Sequence, residues 1–438
     1  MSSFSKNYIQ VARFLLPTPF TIAIILTLLT FSISIFWLDN SLMQTAHFWE
    51  NKLWSGNNFA FQCMYMLVVG HIIALSRPFD KLTDWLLQFA ANKARAAMLV
   101  TFLAIITGLF NWGLGLILGA IFARKVGEYA KANNIQIHYG IIGAAGYAGL
   151  MVWHGGLSGS APLLVSKEHA LIQDMGIIDT SKTIFSSMNI LASLLLIILL
   201  PGLMYWVAKC SKHTSINLPT AVKKVKKKEH LIGAEQLDYS AWFARAVGVI
   251  LLLYALIKLY HLGIYNLGLN IVNLTLFALA VLLHKNVYSF LNALDKAIVD
   301  GAGILIQFPL YFGIMGVMQE AGIVYALSEF FVSISNSLTL PIFTFFSAGV
   351  VNIFVPSGGG QWAMQGPIII EACKSLGVEL SKGIMAMCYG DQLTNMLQPF
   401  WALPLLGITG LKAKDILPYT LILMLAGIII FTGVLLIF

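Results

Sequence analysis

The sequence predicts an all-α polytopic membrane protein with about nine full spans and two re-entrant hairpins. We expect two inverted-topology repeats whose helices are broken at the membrane midplane. Three observations support this fold class: the composition, apolar stretches of span length, and breaks that recur in the same order in both halves. Of the 438 residues, 58% are hydrophobic and 11% are charged, whereas a soluble domain is about 45–50% apolar and about 25% charged. A soluble enzyme and a disordered chain are therefore excluded.

Seven apolar stretches are candidates for full spans, because a helix needs about 20 apolar residues to cross a bilayer. They cover residues 18–38, 58–76, 184–208, 242–260, 269–284, 301–318 and 416–437. Two more spans are expected at 138–165 and 383–411, which are long, apolar and interrupted by polar residues. We assign the net charge of +8 to cytoplasmic loops, which are rich in Lys and Arg, and not to a nucleic-acid partner.

Residues 96–124 and 341–372 are predicted to be the two re-entrant hairpins. The first has two apolar arms of roughly 12–14 residues, and each arm is too short to span at about 1.5 Å per residue. Basic residues precede and follow it, so both of its ends are expected in the cytoplasm. A hairpin puts both ends there, whereas a single span does not. We expect the tip of the second hairpin near residues 356–360.

This topology places the N-terminus inside and the C-terminus outside, with most of the 27 Lys and Arg residues on the inner side. The chain then divides into a first repeat at 1–210 and a second repeat at 269–438. A basic cytoplasmic linker at 211–240 and a connecting span at 241–268 separate them. The connecting span inverts the second repeat relative to the first.

The tips of the two hairpins and the interruptions of the two broken spans make four breaks, and we predict that they converge at the midplane. Matched broken helices in inverted repeats indicate the binding site of a secondary transporter. A helix N-terminus that points into a cavity binds anions. The breaks at 158–160 and 357–361 are therefore the leading candidates for holding a carboxylate. The candidate substrate-binding residues are Asn111, Trp112, Gly113, Ser158, Gly159, Ser160, Asn352, Ser357, Gly358, Gly359, Gly360, Gln361 and Trp362.

Asp391 is an acidic residue predicted well within a span. An intramembrane carboxylate costs at least about 2.5–3.5 kcal/mol, and no Lys or Arg is expected at that depth. We therefore expect it to be protonated or to bind a cation, with H⁺ or Na⁺ as the coupling ion and no cofactor or other metal. The candidate ion-coupling residues are Asp391, Gln392, Thr394, Asn395 and Gln398. His71 and His154 are candidates for a proton relay, although a lone buried histidine is more often a packing residue.

The chain resembles the short-chain fatty acid transporter family over nearly its whole length. The most specific strings are VNIFVPSGGGQWAMQGP at 351–367 and YGDQLTNMLQPFWALPLL at 389–406, and GLSGSAPLL at 156–164 supports them. The resemblance implies uptake of short-chain fatty acids such as acetoacetate or butyrate across the bacterial inner membrane. It also implies kinship with a wider group of ion-coupled carboxylate transporters that share inverted repeats, hairpins and elevator-like movement. The expected partners are a small monocarboxylate and the lipid bilayer, with a homodimer as a further expectation.

Three positions depart from the family pattern. Gln361 stands where the pattern has His, Asp391 where it has Glu, and His154 where it has Gly. They lie among the candidate site residues, so the substrate and the coupling ion stay open. The alternative within the class is a transporter of another small anion: a dicarboxylate, an amino acid or a peptide fragment. A remote alternative is an intramembrane serine protease with Ser158 as nucleophile, because residues 156–159 match G-x-S-G.

Overall fold

The computed structural model describes residues 18–90, 92–169, 171–212, 233–262 and 269–438. Within these residues the chain is helical and contains no strand. The α-helices are α1 Pro19–Phe36, α2 Leu42–Leu53, α3 Asn57–Ala74, α4 Arg77–Leu87, α5 Lys93–Phe110, α6 Trp112–Ala132, α7 Tyr139–Tyr147, α8 Ser160–Val165, α9 Ile172–Met175, α10 Ser187–Cys210, α11 Glu235–Tyr239, α12 Ala241–Leu262, α13 Leu269–Leu283, α14 Val287–Ala297, α15 Ala302–Glu320, α16 Ile323–Ser333, α17 Leu340–Phe354, α18 Gly358–Leu376, α19 Leu380–Thr394, α20 Pro399–Thr409 and α21 Ala413–Ile437.

The predicted all-α class is confirmed, and the seven predicted full spans coincide with α1, α3, α10, α12, α13, α15 and α21. In the part of the chain that the structure describes, six helices are long and apolar enough to cross a membrane: α1, α5, α10, α12, α15 and α21. Large apolar side chains stand on their outer faces, such as Leu28 at 63% and Tyr260 at 85% exposure. Such a surface requires a lipid environment. The count of nine spans and the inverted repeats stay predictions.

The chain reverses direction at Asn111, so that α5 and α6 pack side by side as a hairpin. A Cβ added at Gly115 would lie 2.5 Å from the Cα of Gly108, and one added at Gly119 would lie 3.3 Å from the Cβ of Ala104. These pairs are symmetric about the turn, which means that the two helices are antiparallel. The close approach requires glycine at position 115, whereas a Cβ at Gly108 would lie 2.4 Å from the Gly149 carbonyl oxygen.

Helices α17 and α18 form the second antiparallel pair, joined by residues 355–357. The Gln361 Nε2 donates to the Ala348 carbonyl at 2.8 Å, and the Gln365 Nε2 donates to the Ser347 Oγ at 3.1 Å. Ser347 and Gln365 are each nine residues from Pro356, the middle of the turn, so their contact shows that the two helices are antiparallel.

The predicted arm length of roughly 12–14 residues was wrong for the first hairpin. Helix α5 has 18 residues and α6 has 21, because the helices extend into the basic flanks, and α5 is long and apolar enough to cross a membrane. Whether both hairpins enter and leave on one side of a membrane stays a prediction.

The two predicted broken helices are broken in the structure. Helix α7 continues as 3₁₀ turns at Ala148–Met151 and Trp153–Gly155 before α8 begins. Helix α19 continues as a 3₁₀ turn at Asn395–Leu397, and α20 begins with Pro399, which needs no N–H acceptor at a first helical position.

A tyrosine from each broken helix takes part in hydrogen bonds that stabilise the break of the other helix. The Tyr147 hydroxyl lies 3.0 Å from the Asn395 carbonyl. The Tyr389 hydroxyl donates to the Asn189 side chain, whose amide donates to the Gly155 carbonyl at 2.8 Å. These bonds satisfy carbonyls that the broken helices leave without partners.

Some elements were not anticipated. Helix α2 begins at a capping box formed by Ser41 and Gln44 and lies against α15, where a Cβ at Gly316 would come 2.4 Å from the Phe48 carbonyl. Helix α14 was missed as well. The segments 1–17 and 263–268 and most of the predicted basic linker, 213–232, lie outside the described residues.

Candidate functional site

The first hairpin tip is closed by its own side chains. Asn111 has an extended backbone and serves as N-cap of α6, and its Oδ1 accepts the N–H groups of Gly113 and Leu114 at 3.0 and 3.1 Å. The remaining N–H of the tip, that of Trp112, donates to the Ser158 Oγ at 2.9 Å. The positive end of α6 is therefore neutralised within the protein.

The second hairpin tip is open. The Ser357 Oγ accepts the Gly360 N–H at 3.3 Å. The N–H groups of Gly358 and Gly359 lie in the first turn of a 19-residue helix and have no acceptor among the described residues. The first turn of α8 faces this tip, with a Cβ at Gly359 placed 3.7 Å from the Cβ of Ser160. Free N–H groups at the positive end of a helix form an anion site.

His154 and Asp391 form a buried pair next to the open tip. The His154 Nδ1 lies 2.6 Å from the Asp391 Oδ2, and the two side chains are 0% and 1% exposed. A Cβ at Gly358 would lie 2.5 Å from the His154 Cε1, so the tip of the second hairpin rests directly on the imidazole. Two of the three positions expected to depart from the family pattern are thus in contact with each other.

The hydrogen bonds assign the protonation of this pair. The Nε2 of His154 accepts the Ala161 N–H at 3.1 Å, so it carries no proton. A neutral imidazole then carries its proton on Nδ1 and donates it to Asp391.

The remaining predicted ion-coupling residues surround Asp391. The Gln392 Oε1 accepts the His154 N–H at 2.9 Å. The Asn352 Nδ2 contacts three oxygens: the Asp391 carbonyl at 2.6 Å, and the Thr394 Oγ1 and Asn395 Oδ1 at 3.0 Å each.

Gln398 joins this cluster through the Asn352 carbonyl, to which its Nε2 donates. Among the described residues, the Asn352 Oδ1 and the Gln398 Oε1 are buried without a hydrogen-bond partner. Such unpaired buried oxygens are costly, and oxygens of this kind are suitable ligands for a hard cation.

An aromatic cluster borders the tips. The Trp112 ring lies 5.1 Å from Trp401 and 6.3 Å from Trp153, measured between centroids. Phe59 of α3 lies 6.1 Å from Trp401 and 6.4 Å from Phe308 of α15. Phe59 and Phe308 were not predicted from the sequence, because a phenylalanine inside an apolar span carries no signal of its own.

Two of the predicted site residues, His71 and Trp362, lie outside the clusters described above. The His71 Nε2 is 3.1 Å from the Arg124 Nη1, and Arg124 is 13 residues beyond Asn111 on α6, about 20 Å along the helix at 1.5 Å per residue. The same guanidinium donates to the Ile408 carbonyl and pairs with Glu128. The structure therefore does not bring His71 to Asp391. Trp362 is 1% exposed and belongs to none of the ring pairs described above.

Ser158, the predicted nucleophile of the protease alternative, has a structural role at the first hairpin tip. The Ser158 Oγ accepts the Trp112 N–H, and His154 is engaged with Asp391 and Ala161. No triad of serine, histidine and acid is formed by these residues.

Comparison with known proteins gives a consistent family. The family model described as "Short chain fatty acid transporter" matches residues 1–438. Two similar proteins are each named "Putative short-chain fatty acid transporter". That of Escherichia coli (strain K12) is 35% identical over 425 residues, which is 95% of this chain and 96% of the relative. That of Haemophilus influenzae (strain ATCC 51907 / DSM 11121 / KW20 / Rd) is 35% identical over 434 residues, which is 96% of this chain and 94% of the relative.

Two solved structures show a distant likeness. The Alcanivorax borkumensis YdaH transporter has a TM-score of 0.46 at 14% identity, covering 95% of this chain and 98% of that one. Neisseria gonorrhoeae MtrF, described with a class of antimetabolite efflux pumps, has a TM-score of 0.42 at 13% identity, with 97% of both chains covered. At these TM-scores the likeness does not establish a shared fold.

Proposed function

The chain belongs to the short-chain fatty acid transporter family, and from this premise we propose that it accumulates small monocarboxylates by coupling their uptake to a cation, H⁺ or Na⁺. The observation that carries the proposal is the contact between the open N-terminus of α18 and the buried His154–Asp391 pair. An anion site and a cation site are thereby adjacent. Family membership makes the protein a multi-pass membrane transporter and not an enzyme.

The anion side is provided by the second hairpin. The free N–H groups of Gly358 and Gly359 and the dipole of α18 would bind the substrate carboxylate, with the Ser160 hydroxyl within reach. One helix end supplies the equivalent of about half a positive charge, which suits a single carboxylate. A substrate with several negative charges would be poorly neutralised there.

The cation side is provided by Asp391. With His154 neutral, an ionised Asp391 leaves a net charge of −1 in a buried site, and such a charge needs a partner. A proton on Asp391 would remove it. Alternatively, Na⁺ would be held by Asp391 with the free oxygens of Asn352 and Gln398. In both cases the bound cation lowers the repulsion between Asp391 and an incoming carboxylate, which links the binding of the two substrates.

The substrate tail would lie against the aromatic cluster of Trp112, Trp153, Trp401, Phe59 and Phe308. Phe59 and Phe308 come from α3 and α15, whereas the tryptophans come from the hairpin and the breaks. This boundary fits an elevator-like movement in which hairpins and broken helices slide against α3 and α15. Location in the bacterial inner membrane, a cytoplasmic N-terminus, a periplasmic C-terminus and a homodimer complete the proposal.

The proposal is tested with the purified full chain in proteoliposomes, by measuring uptake of labelled butyrate and acetoacetate under an imposed inward pH gradient or Na⁺ gradient. We expect accumulation above equilibrium with one of the gradients, and competition by unlabelled short-chain acids but not by succinate. Preferred competition by a dicarboxylate or an amino acid would support the alternative of another small anion. Equilibration without accumulation under every gradient would contradict cation coupling.

A further inference from the structure

We propose that the coupling cation reaches Asp391 from an acidic groove at the end of the second hairpin, through a hydrated polar path between α16, α17 and α18. The inference rests on the proposed cation coupling and adds the route, whose outer part consists of residues that were not candidate site residues: Ser328, Glu329, Thr344, Ser347, Gln365 and Glu371. In the charge-based topology this end of the hairpin faces outside, the side from which a cation accompanies uptake.

The entrance is a surface groove of about 570 Å³ between α16 and α18. Its exposed walls include the carboxylates of Glu329 and Glu371, together with Ser333 and Ser375. The Tyr325 hydroxyl donates to the Glu329 carboxylate at 2.7 Å and holds it in place. Two carboxylates at one mouth raise the local concentration of cations.

Behind the groove lies a small cavity of about 10 Å³, which is about the room that one water needs. Val332 and Ile368 line both the groove and the cavity, so these two apolar side chains separate them. The lining of the cavity is mixed, with Ser328, Thr344, Ser347 and Gln365 beside Phe331 and Ile369. The Thr344 side chain is 4% exposed, and its Oγ1 has no partner among the described residues.

From the cavity, a chain of hydrogen bonds continues to the candidate site. The Gln365 Nε2 donates to the Ser328 Oγ at 2.8 Å, and the Gln365 Oε1 accepts from the Gln361 Nε2 at 2.8 Å. The Gln361 Nε2 also donates to the Ala348 carbonyl. The Oε1 of Gln361, a fully buried residue, has no partner in the described part of the chain.

The last links reach the oxygens around Asp391. The carbonyl of Gly349, the neighbour of Ala348, accepts from the Thr394 Oγ1 at 2.9 Å, and Thr394 is bonded to Asn352 at 3.0 Å. Unpaired polar atoms therefore occur at the start, middle and end of the path, at Thr344, Gln361 and Asn352.

An unpaired buried polar atom costs about 1–3 kcal/mol, and a water that bonds to it offsets this cost where there is room for one. The described residues contain thirteen such side-chain atoms, and the three named here follow one another along the hydrogen-bond chain. Three in a row between an acidic groove and a buried carboxylate indicate a route for water and cations. Val332 and Ile368 would be its gate, because they are the apolar part of the wall between groove and cavity.

The test uses single cysteines in the full-length chain with the other native cysteines replaced. Ser347→Cys and Thr344→Cys place a thiol in the cavity, and native Cys373 is the matched control. Cys373 is buried on α18 but lines neither the groove nor the cavity. Reaction with Ag⁺, an ion similar in size to Na⁺, is measured in proteoliposomes without any carboxylate substrate.

We expect both cavity cysteines to react at least tenfold faster than Cys373, and Val332→Ala to accelerate them further. Equal rates at all three positions would overturn the path. Because no substrate is present, this result is independent of which anion the protein carries.

A transport measurement on a different variant tests the path independently of whether the cysteine variants fold. Gln365→Leu removes the polar link while preserving helix propensity. We expect the cation concentration for half-maximal uptake to rise at least threefold, with unchanged carboxylate exchange at saturating cation. An unchanged cation dependence together with unreactive cavity cysteines would refute the path. If the wild-type protein itself transports no carboxylate, the proposed function is refuted instead.

Discussion

The two hairpin tips occupy corresponding places in the two halves of the sequence, but their backbone N–H groups have opposite fates. At the first tip, Asn111 and Ser158 accept the three leading N–H groups of α6. At the second, Ser357 accepts a single N–H of α18 and leaves those of Gly358 and Gly359 free. Related elements can therefore differ in role: the first tip satisfies its own N–H groups and stabilises the fold, whereas the second is the one that we propose binds a ligand.

The largest effect is expected where the second tip touches the buried pair. In Gly358→Ala the new Cβ would lie 2.5 Å from the His154 Cε1 and 2.8 Å from a Trp153 ring atom. The two rings are stacked with centroids 4.4 Å apart, so the imidazole cannot move aside freely. We expect uptake to fall at least tenfold, measured as the initial rate at equal protein content.

The neighbouring substitution Gly359→Ala is the matched control for that experiment. Its Cβ would meet the Ser160 Cβ at 3.7 Å, which is an ordinary van der Waals contact, and its N–H is retained. We expect a loss of at most a few-fold. Equal losses from both substitutions would show that the tip, and not its contact with His154, is what matters.

The second prediction concerns the packing of the first hairpin. Gly115→Ala places a Cβ 2.5 Å from the Cα of Gly108, and backbone cannot yield without separating α5 from α6. Overpacking of this kind costs about 1–3 kcal/mol, so we expect a lower midpoint of thermal unfolding in detergent. Gly202→Ala, with nothing within 4 Å of the added Cβ, is expected to leave the midpoint unchanged or to raise it.

The third prediction compares the two capping residues, Asn111 and Ser357, by the effect of their removal on stability and on substrate affinity. Asn111→Ala removes the acceptor of two buried N–H groups and is expected to destabilise the protein by about 1–2 kcal/mol. The half-saturating substrate concentration of the folded fraction should change by less than twofold. Ser357→Ala should destabilise less and raise that concentration more. The reverse ranking would contradict the division of work between the tips.

The smallest effect concerns the tail of the substrate. Phe59→Leu removes part of a ring that lies 6.1 Å from Trp401 and 6.4 Å from Trp112, which widens the aromatic cluster. One methylene in an apolar pocket is worth about 1 kcal/mol. We expect the preference for butyrate over hexanoate to fall two- to fivefold in competition assays, with cation dependence unaltered. An unaltered preference would place the tail elsewhere.

Much of this molecule was predictable from its sequence, because membrane helices reveal themselves by long apolar stretches and their breaks by Gly, Pro and Asn. The seven full spans and the four broken segments coincide with helices and breaks of the structure. Asp391 stood out since a carboxylate is costly in an apolar span, and the structure buries it as expected.

Other features carried no sequence signal. The contact of His154 with Asp391 joins residues 237 positions apart, and only tertiary packing brings them together. The roles of Phe59, Tyr147 and Asn189 could not be separated from ordinary core packing. Helix α2 is short and only moderately apolar, so a search for long apolar stretches passed over it.

The most direct test of the account is transport by Asp391→Asn, in which the amide mimics a protonated or cation-neutralised carboxylate. Accumulation of labelled butyrate under the coupling gradient is compared with exchange of internal for external butyrate in the same proteoliposomes. We expect accumulation to be abolished while exchange continues, because the mobile site no longer needs the cation. Gradient-driven accumulation at the wild-type level would contradict it.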